Sequence, residues 1–239
     1  MKQEMRNSSV LADGSAQIKK ARIRNTTEIT VYVDAVSEQY TRGLHATRDL
    51  GPAVTVFGSA RTRPGEPTYL HALRVGRLLA GAGYTVVTGG GGGIMEAANR
   101  GASLGGGPSI GMPIVLPFEE SGNPFVHLSV DFEHFPARKT CLIDACDAVM
   151  VFAGGFGTLD ELFEVLTLVQ TRKMHPIPVI LVDRRYWSGL IDWIESTVLT
   201  QGCVSEHDLD LVHVVDTAEE AVAICNQSVP VPRDELRRG

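Results

Sequence analysis

The sequence predicts an α/β fold: a mainly parallel, doubly wound sheet with helices on both faces. Three observations predict it. Short apolar runs rich in β-branched residues alternate with longer amphipathic segments along most of the chain. Glycines cluster where two of those runs give way to the next amphipathic segment. The 239 residues, 44% of them hydrophobic, suit one domain with a sizeable core rather than two. Such an alternation builds right-handed crossovers between parallel neighbours, the arrangement called Rossmann-like.

Residues 1–24 are polar and without a persistent period, and are read as a mobile arm. Residues 25–50 form an accessory segment in which Ile29, Val33, Val36 and Tyr40 recur at near-helical spacing from Thr27 to Ala46, a helix packed outside the main fold or against a partner chain. The main α/β domain is expected over 51–228. It opens with a buried strand, Ala53 to Gly58, and a helix from Tyr69 to Ala82 that Gly83 caps. Strands are expected at Tyr84–Thr88, Ser109–Leu116, Leu128–Phe132, Val149–Phe152, Pro178–Val182 and Val212–Val215. Helices are expected after Gly93 and at Phe135–Ala145, Thr158–Arg172, Tyr186–Leu199 and Ala218–Cys225. Pro117–Phe125 reads as a loop carrying Glu119 and Glu120, and 229–239 as a flexible tail.

Composition narrows the partners. A formal charge of -6 argues against a nucleic-acid surface. The chain has no apolar run long enough for a bilayer and no charged-then-apolar leader pattern at its start, so no membrane partner is expected and the cytoplasm is the expected location. Cys141, Cys146, Cys203 and Cys225 lack paired spacing, which points to no metal site and no disulfide framework.

Chemistry is concentrated at the glycine junctions. Val149 to Glu161 reads strand, glycine loop, helix, and such a junction directs unpaired N–H groups and the positive end of a helix dipole at an anion. It reads as a phosphate seat. Five successive glycines, Gly89 to Gly93, separate another strand from a helix and permit close backbone approach to a ligand; a flexible turn is the plain alternative. Neither loop continues as Gly-Lys-Ser/Thr, so neither is a Walker A loop. The five-glycine loop can be laid onto G-x-G-x-x-G, but no acidic residue ends the following strand, which leaves a redox dinucleotide enzyme as a runner-up.

Two positions admit two readings each. Thr158-Leu159-Asp160-Glu161 fits a capping box, and the Glu161 carboxylate is equally well placed to face the sugar of a bound nucleotide. Arg138 and Lys139 sit in the first turns of a helix, where the dipole opposes cations; they are either solvated surface charges or the counter-charge of a bound anion.

Gly154-Gly155-Phe156-Gly157-Thr158-Leu159-Asp160-Glu161, with Arg138-Lys139 upstream and the glycine loop from Thr88 to Gly101, closely resembles the LOG (Lonely Guy) family over about Ala53 to Cys225. These are cytokinin riboside 5'-monophosphate phosphoribohydrolases, often mislabelled lysine decarboxylases. The chain departs from the usual pattern in having Ala153 before the double glycine and Gly92 in the first loop, where the family commonly has proline. The resemblance implies catalytic roles for Arg138 and Glu161. It implies nucleotide contacts at Lys139, Gly154, Gly155, Phe156, Gly157, Thr158, Leu159, Asp160 and Thr167, with Ser59, Gly90, Gly91 and an acidic residue at Glu119 or Glu120 completing the site. It further implies a nucleoside 5'-monophosphate substrate, either AMP or N6-prenylated AMP. No cofactor and no metal are implied, and the assembly expected is a homodimer or higher homo-oligomer. A non-catalytic nucleotide sensor or carrier is the alternative of a different class. A pyridoxal phosphate decarboxylase is disfavoured, since the only lysines are Lys2, Lys19, Lys20, Lys139 and Lys173: three in the arm, one beyond a helix end and one crowded by an arginine.

Overall fold

The computed structural model describes residues 25–115 and 122–227. The expected arm, the tail, and Glu119 and Glu120 of the expected Pro117–Phe125 loop lie outside those residues. The chain divides into two compact units between Ala35 and Val36. The described part of the first is the opening of helix α1 (Thr26–Thr47). The second holds the rest of α1 and the whole sheet.

That sheet has seven strands: β1 (Ala53–Phe57), β2 (Thr85–Thr88), β3 (Ser109–Gly111), β4 (Leu128–Ser129), β5 (Ala148–Val151), β6 (Val179–Val182) and β7 (Val212–Val215). Their order is β4-β3-β2-β1-β5-β6-β7, and every neighbouring pair is parallel. The strands β1, β2, β5 and β6 are buried at every position because helices cover both faces, which is why they read as unbroken apolar runs rather than alternating ones.

Alternate residues of each strand serve the two faces. Val54, Val56, Val86, Met150 and Ile180 meet α2 (Pro67–Gly81), α3 (Ile94–Leu104) and α8 (Ala218–Gln227). Val87, Val149, Val151 and Leu181 meet α4 (Phe135–Asp144), α5 (Phe156–Gln170) and α6 (Arg184–Trp193). Val36 and Tyr40 of α1 pack on that second layer, and Gly43 leaves no room for a Cβ, which would fall 2.4 Å from Cys141 Sγ. Part of the apolar face read in α1 is thus used within the chain. On the first face, α2 and α3 approach closely enough that a Cβ at Gly76 would lie 2.2 Å from Ala98 O, and one at Gly101 2.1 Å from Leu73 O.

The junctions explain the boundaries. Gly83 ends α2 at φ +88, donating its N–H to Ala80 O while Tyr84 N–H reaches Leu79 O, the paired bonds of a Schellman turn. The edge of the sheet is shorter than expected. β3 stops at Gly111, and only a bridge between Ile114 and Phe132 continues the pairing. The long helix expected at Tyr186–Leu199 is α6 followed by a π-helical turn, Ile194–Leu199, and a short helix α7 (Glu206–Leu209) comes next where none was expected.

Candidate active site

Strand addition reverses between β1 and β5, and open α/β sheets take ligands in the crevice outside the carboxyl ends of such a pair. Three loops meet there. Ser59 N–H, after β1, donates to Ala153 O after β5 (3.0 Å), and Ser59 O accepts Ile94 N–H from the end of the five-glycine loop (3.0 Å). The Ser59 hydroxyl accepts from Arg61 N–H (3.1 Å) and so shapes its own turn. Gly93, at φ +66, must be glycine: a Cβ there would stand 2.2 Å from Ser59 O.

The five-glycine loop is held rather than flexible. Gly90, at φ +75, donates its N–H to Thr88 Oγ1 (2.9 Å). Asn123 N–H donates to Gly90 O (2.8 Å), and Asn123 Nδ2 to Gly91 O (2.9 Å) and to Asn99 Oδ1 (2.9 Å). Asn99 is fully buried, receives the Thr88 hydroxyl (2.7 Å) and donates to Ser109 Oγ (3.1 Å). A buried network whose members are all paired rigidifies the backbone it grips.

The helix after β5 begins earlier than expected. α5 starts at Phe156, with Gly155 as an N-cap that has no side-chain capping bond. The capping-box reading of Thr158 and Glu161 is therefore overturned. The chain enters the helix directly from Gly155, and Thr158 becomes the third helical residue. Its hydroxyl lies under Gly154, where a Cβ would meet it at 2.1 Å, so the glycine leaves the space the threonine fills. Phe156 projects into solvent, 93% exposed, while Leu159 packs on the core.

Glu161 stands one turn further in and is 6% exposed, and among the described residues its Oε2 has no hydrogen-bond partner. Burial lifts its pKa to about 7; Lys139 and Arg138 pull down against that, and Glu164 and Asp160 push up. Arg138 is anchored from α4 by Nε donating to Met112 O (2.6 Å) and by Nη2 at 3.5 Å from Gly89 O. A Cβ at Gly89 would strike its guanidinium at 2.2 Å. Burial pulls the guanidinium below its ordinary range, and the Glu161 charge works against that pull.

Lys139 is neither a free surface cation nor an open anion seat. Its Nζ sits 2.9 Å from Asp160 Oδ2 and 2.7 Å from Glu164 Oε2. Burial alone would lower it, but the hydrogen bonds to Glu164 and Asp160 outweigh that and hold it above the usual lysine range. Thr167 is not brought to this cluster within the chain. It lies nine residues beyond Thr158 on α5, about 13 Å along the axis, exposed, with its hydroxyl donating to Phe163 O (2.7 Å).

Several neighbours of these residues escape sequence reasoning. Glu164 pairs with a lysine on another helix, Asn123 reaches the glycine loop from an irregular segment, and Tyr186 bonds to Gly154; none obeys a local period. Asn99 alone left a signal, as an amide on the apolar face of an alanine-rich helix. Among the described residues no group of three His, Cys, Asp or Glu side chains gathers for a metal ion.

Fold and site together define a class: an open parallel α/β protein in which the loops at the strand-order reversal lie by a buried acid and an anchored guanidinium. A family profile described as "Possible lysine decarboxylase" matches residues 95–225. A cytokinin riboside 5'-monophosphate phosphoribohydrolase of Mycobacterium tuberculosis is 33% identical over 160 residues, 66% of this chain and 84% of that protein. A pyrimidine/purine nucleotide 5'-monophosphate nucleosidase of Escherichia coli K12 is 26% identical over 187 residues, 72% of this chain and 40% of that protein. A molybdenum cofactor binding protein from Rippkaea orientalis has a similar structure, with a TM-score of 0.53 at 25% identity over 74% of this chain and 96% of that one. The chain belongs to the LOG family of phosphoribohydrolases.

The decarboxylase description does not fit the described lysines. A Schiff-base lysine must lose its proton readily. Among the described lysines, Lys139 is held protonated by two carboxylates, and Lys173 is exposed beyond the end of α5.

Proposed function

We propose that this protein hydrolyses the N-glycosidic bond of adenine-type nucleoside 5'-monophosphates, releasing free base and ribose 5-phosphate. The observation that carries the reading is Glu161: a buried carboxyl with an unpartnered oxygen, one turn inside a helix that starts from a glycine loop. The names of the two relatives, a phosphoribohydrolase and a nucleotide nucleosidase, support the same bond as the target.

The amides of Phe156, Gly157 and Thr158 are helix-start donors without intrahelical acceptors, and they would receive the 5'-phosphate together with the dipole. That remote contact orients the ribose without reacting. As the C1'–N bond breaks, C1' takes on oxocarbenium character, which the Glu161 carboxylate stabilises while orienting water. The water oxygen bonds to C1', and the departing base nitrogen ends with a proton. Arg138, locked by Met112 O and Gly89 O, holds substrate oxygens in register. Asp160 and Lys139 contribute by holding α4 against α5. Thr167 would meet a nucleotide only across a boundary between copies, in the homodimer or higher oligomer that the family resemblance implies.

The similarity to a molybdenum cofactor binding protein favours one second reading, a non-catalytic carrier. Incubation of the full chain with AMP and with N6-prenylated AMP, followed by chromatography of the bases, separates the two. Free base appears if the hydrolase reading holds, and the preferred nucleotide identifies the substrate. Tight binding of both nucleotides with no base released leaves the carrier.

A further inference from the structure

We infer that the Tyr186 hydroxyl is the fastener that holds the phosphate-binding loop open for its ligand, a positioning role that rests on the phosphate-seat reading above. Its oxygen donates to Gly154 O (2.6 Å) and accepts from Gly154 N–H (3.3 Å). The preceding carbonyl, Ala153 O, is taken by Ser59 N–H. One tyrosine and one serine backbone thus occupy consecutive polar groups at the point where the chain leaves β5. The next residues, Gly155 to Thr158, are left to present their amides outward.

The fold commits itself to bringing Tyr186 there. β6 ends at Val182 and α6 begins at Arg184, so a single residue, Asp183, makes the whole turn. It does so at φ +82, in the left-handed region that a non-glycine residue enters at a cost. Its N–H is tied to Val215 O (2.9 Å), and its carbonyl accepts Tyr186 N–H (3.0 Å). The ring of Tyr186 stands edge-on to buried Trp187, centroids 4.9 Å apart, and Trp187 Nε1 donates to Val182 O (3.1 Å). The side chain is therefore aimed from a rigid base, although it is 45% exposed and buries little apolar surface of its own. An exposed ring held this way contributes through its hydroxyl.

Tyr186→Phe removes the hydroxyl and nothing else. Losing a hydrogen-bonded pair of this kind should weaken phosphate retention roughly three- to tenfold. The phosphate is held alike before and during bond cleavage, so KM for AMP should rise by that factor while kcat stays within about twofold. Binding of ribose 5-phosphate, measured by calorimetry, should weaken by the same factor, and hydrolysis or binding of adenosine, which lacks the phosphate, should not change. An unchanged KM and ribose 5-phosphate affinity, or an equal loss with adenosine, would overturn the fastener. If wild-type protein releases no base yet binds ribose 5-phosphate more tightly than the variant does, the fastener stands and the hydrolase reading falls.

Discussion

Glu161→Gln should make the protein more stable and less active, by an amount that depends on pH. A carboxyl carried by burial from 4.5 to about 7 binds its proton more tightly in the folded chain than in the unfolded one. Below about pH 4.5 both states hold the proton and the group is neutral to stability; between 4.5 and 7 stability falls as pH rises, and above 7 the whole cost is present. At about 1.4 kcal/mol per pH unit, that cost is roughly 3 kcal/mol. The isosteric amide carries no charge to desolvate, so at about pH 9 the variant should gain roughly 2–3 kcal/mol over wild type, and at about pH 4 the gain should vanish. Urea unfolding of both proteins at the two pH values measures the difference through the midpoint, provided the slope is unchanged. Turnover of AMP by the same variant should fall by a factor on the order of a hundred or more while nucleotide binding persists. A gain of equal size at both pH values would show that Glu161 is not a desolvated acid. A loss of stability at about pH 9 would show that its carboxylate is paired in the native state.

The same site sets three further outcomes. If the ionised form of Glu161 is the working one, kcat/KM should climb with pH to a plateau above about 7 and lose that limb in the Gln variant, as a pH-rate profile would record. In the five-glycine loop, Gly93→Ala should cost at least about 2 kcal/mol, because the new Cβ meets Ser59 O at 2.2 Å and φ is +66. Gly92→Ala, whose nearest neighbour is Ala60 O at 3.6 Å, should be neutral or stabilising by up to about 1 kcal/mol, with thermal unfolding distinguishing the pair.

The order of strands and helices and the strand–glycine–helix junction after β5 are legible in the chain because each is written locally, whereas Arg138 and Glu161, on separate helices, are marked only by the family resemblance. Apolar periodicity marks what is buried, glycine marks where backbone must turn or come close, and Gly83 ends α2 as its position predicts. The start of α5 differs from the sequence expectation by two residues because a threonine with a glutamate three places on mimics a cap, whereas the helix starts after Gly155 with no side-chain cap. Beyond that, tertiary structure decided. Which side of β1 receives β5, and hence where the strand order reverses, depends on seven strands packing at once. That Lys139 is spoken for by Asp160 and Glu164, that Asn123 grips Gly91, and that Tyr186 ties down Gly154 are contacts between segments far apart in the chain. The burial that takes Glu161 to about 7 exists only once α4, α5 and the sheet have closed around it, since desolvation is a property of the surroundings and not of the residue.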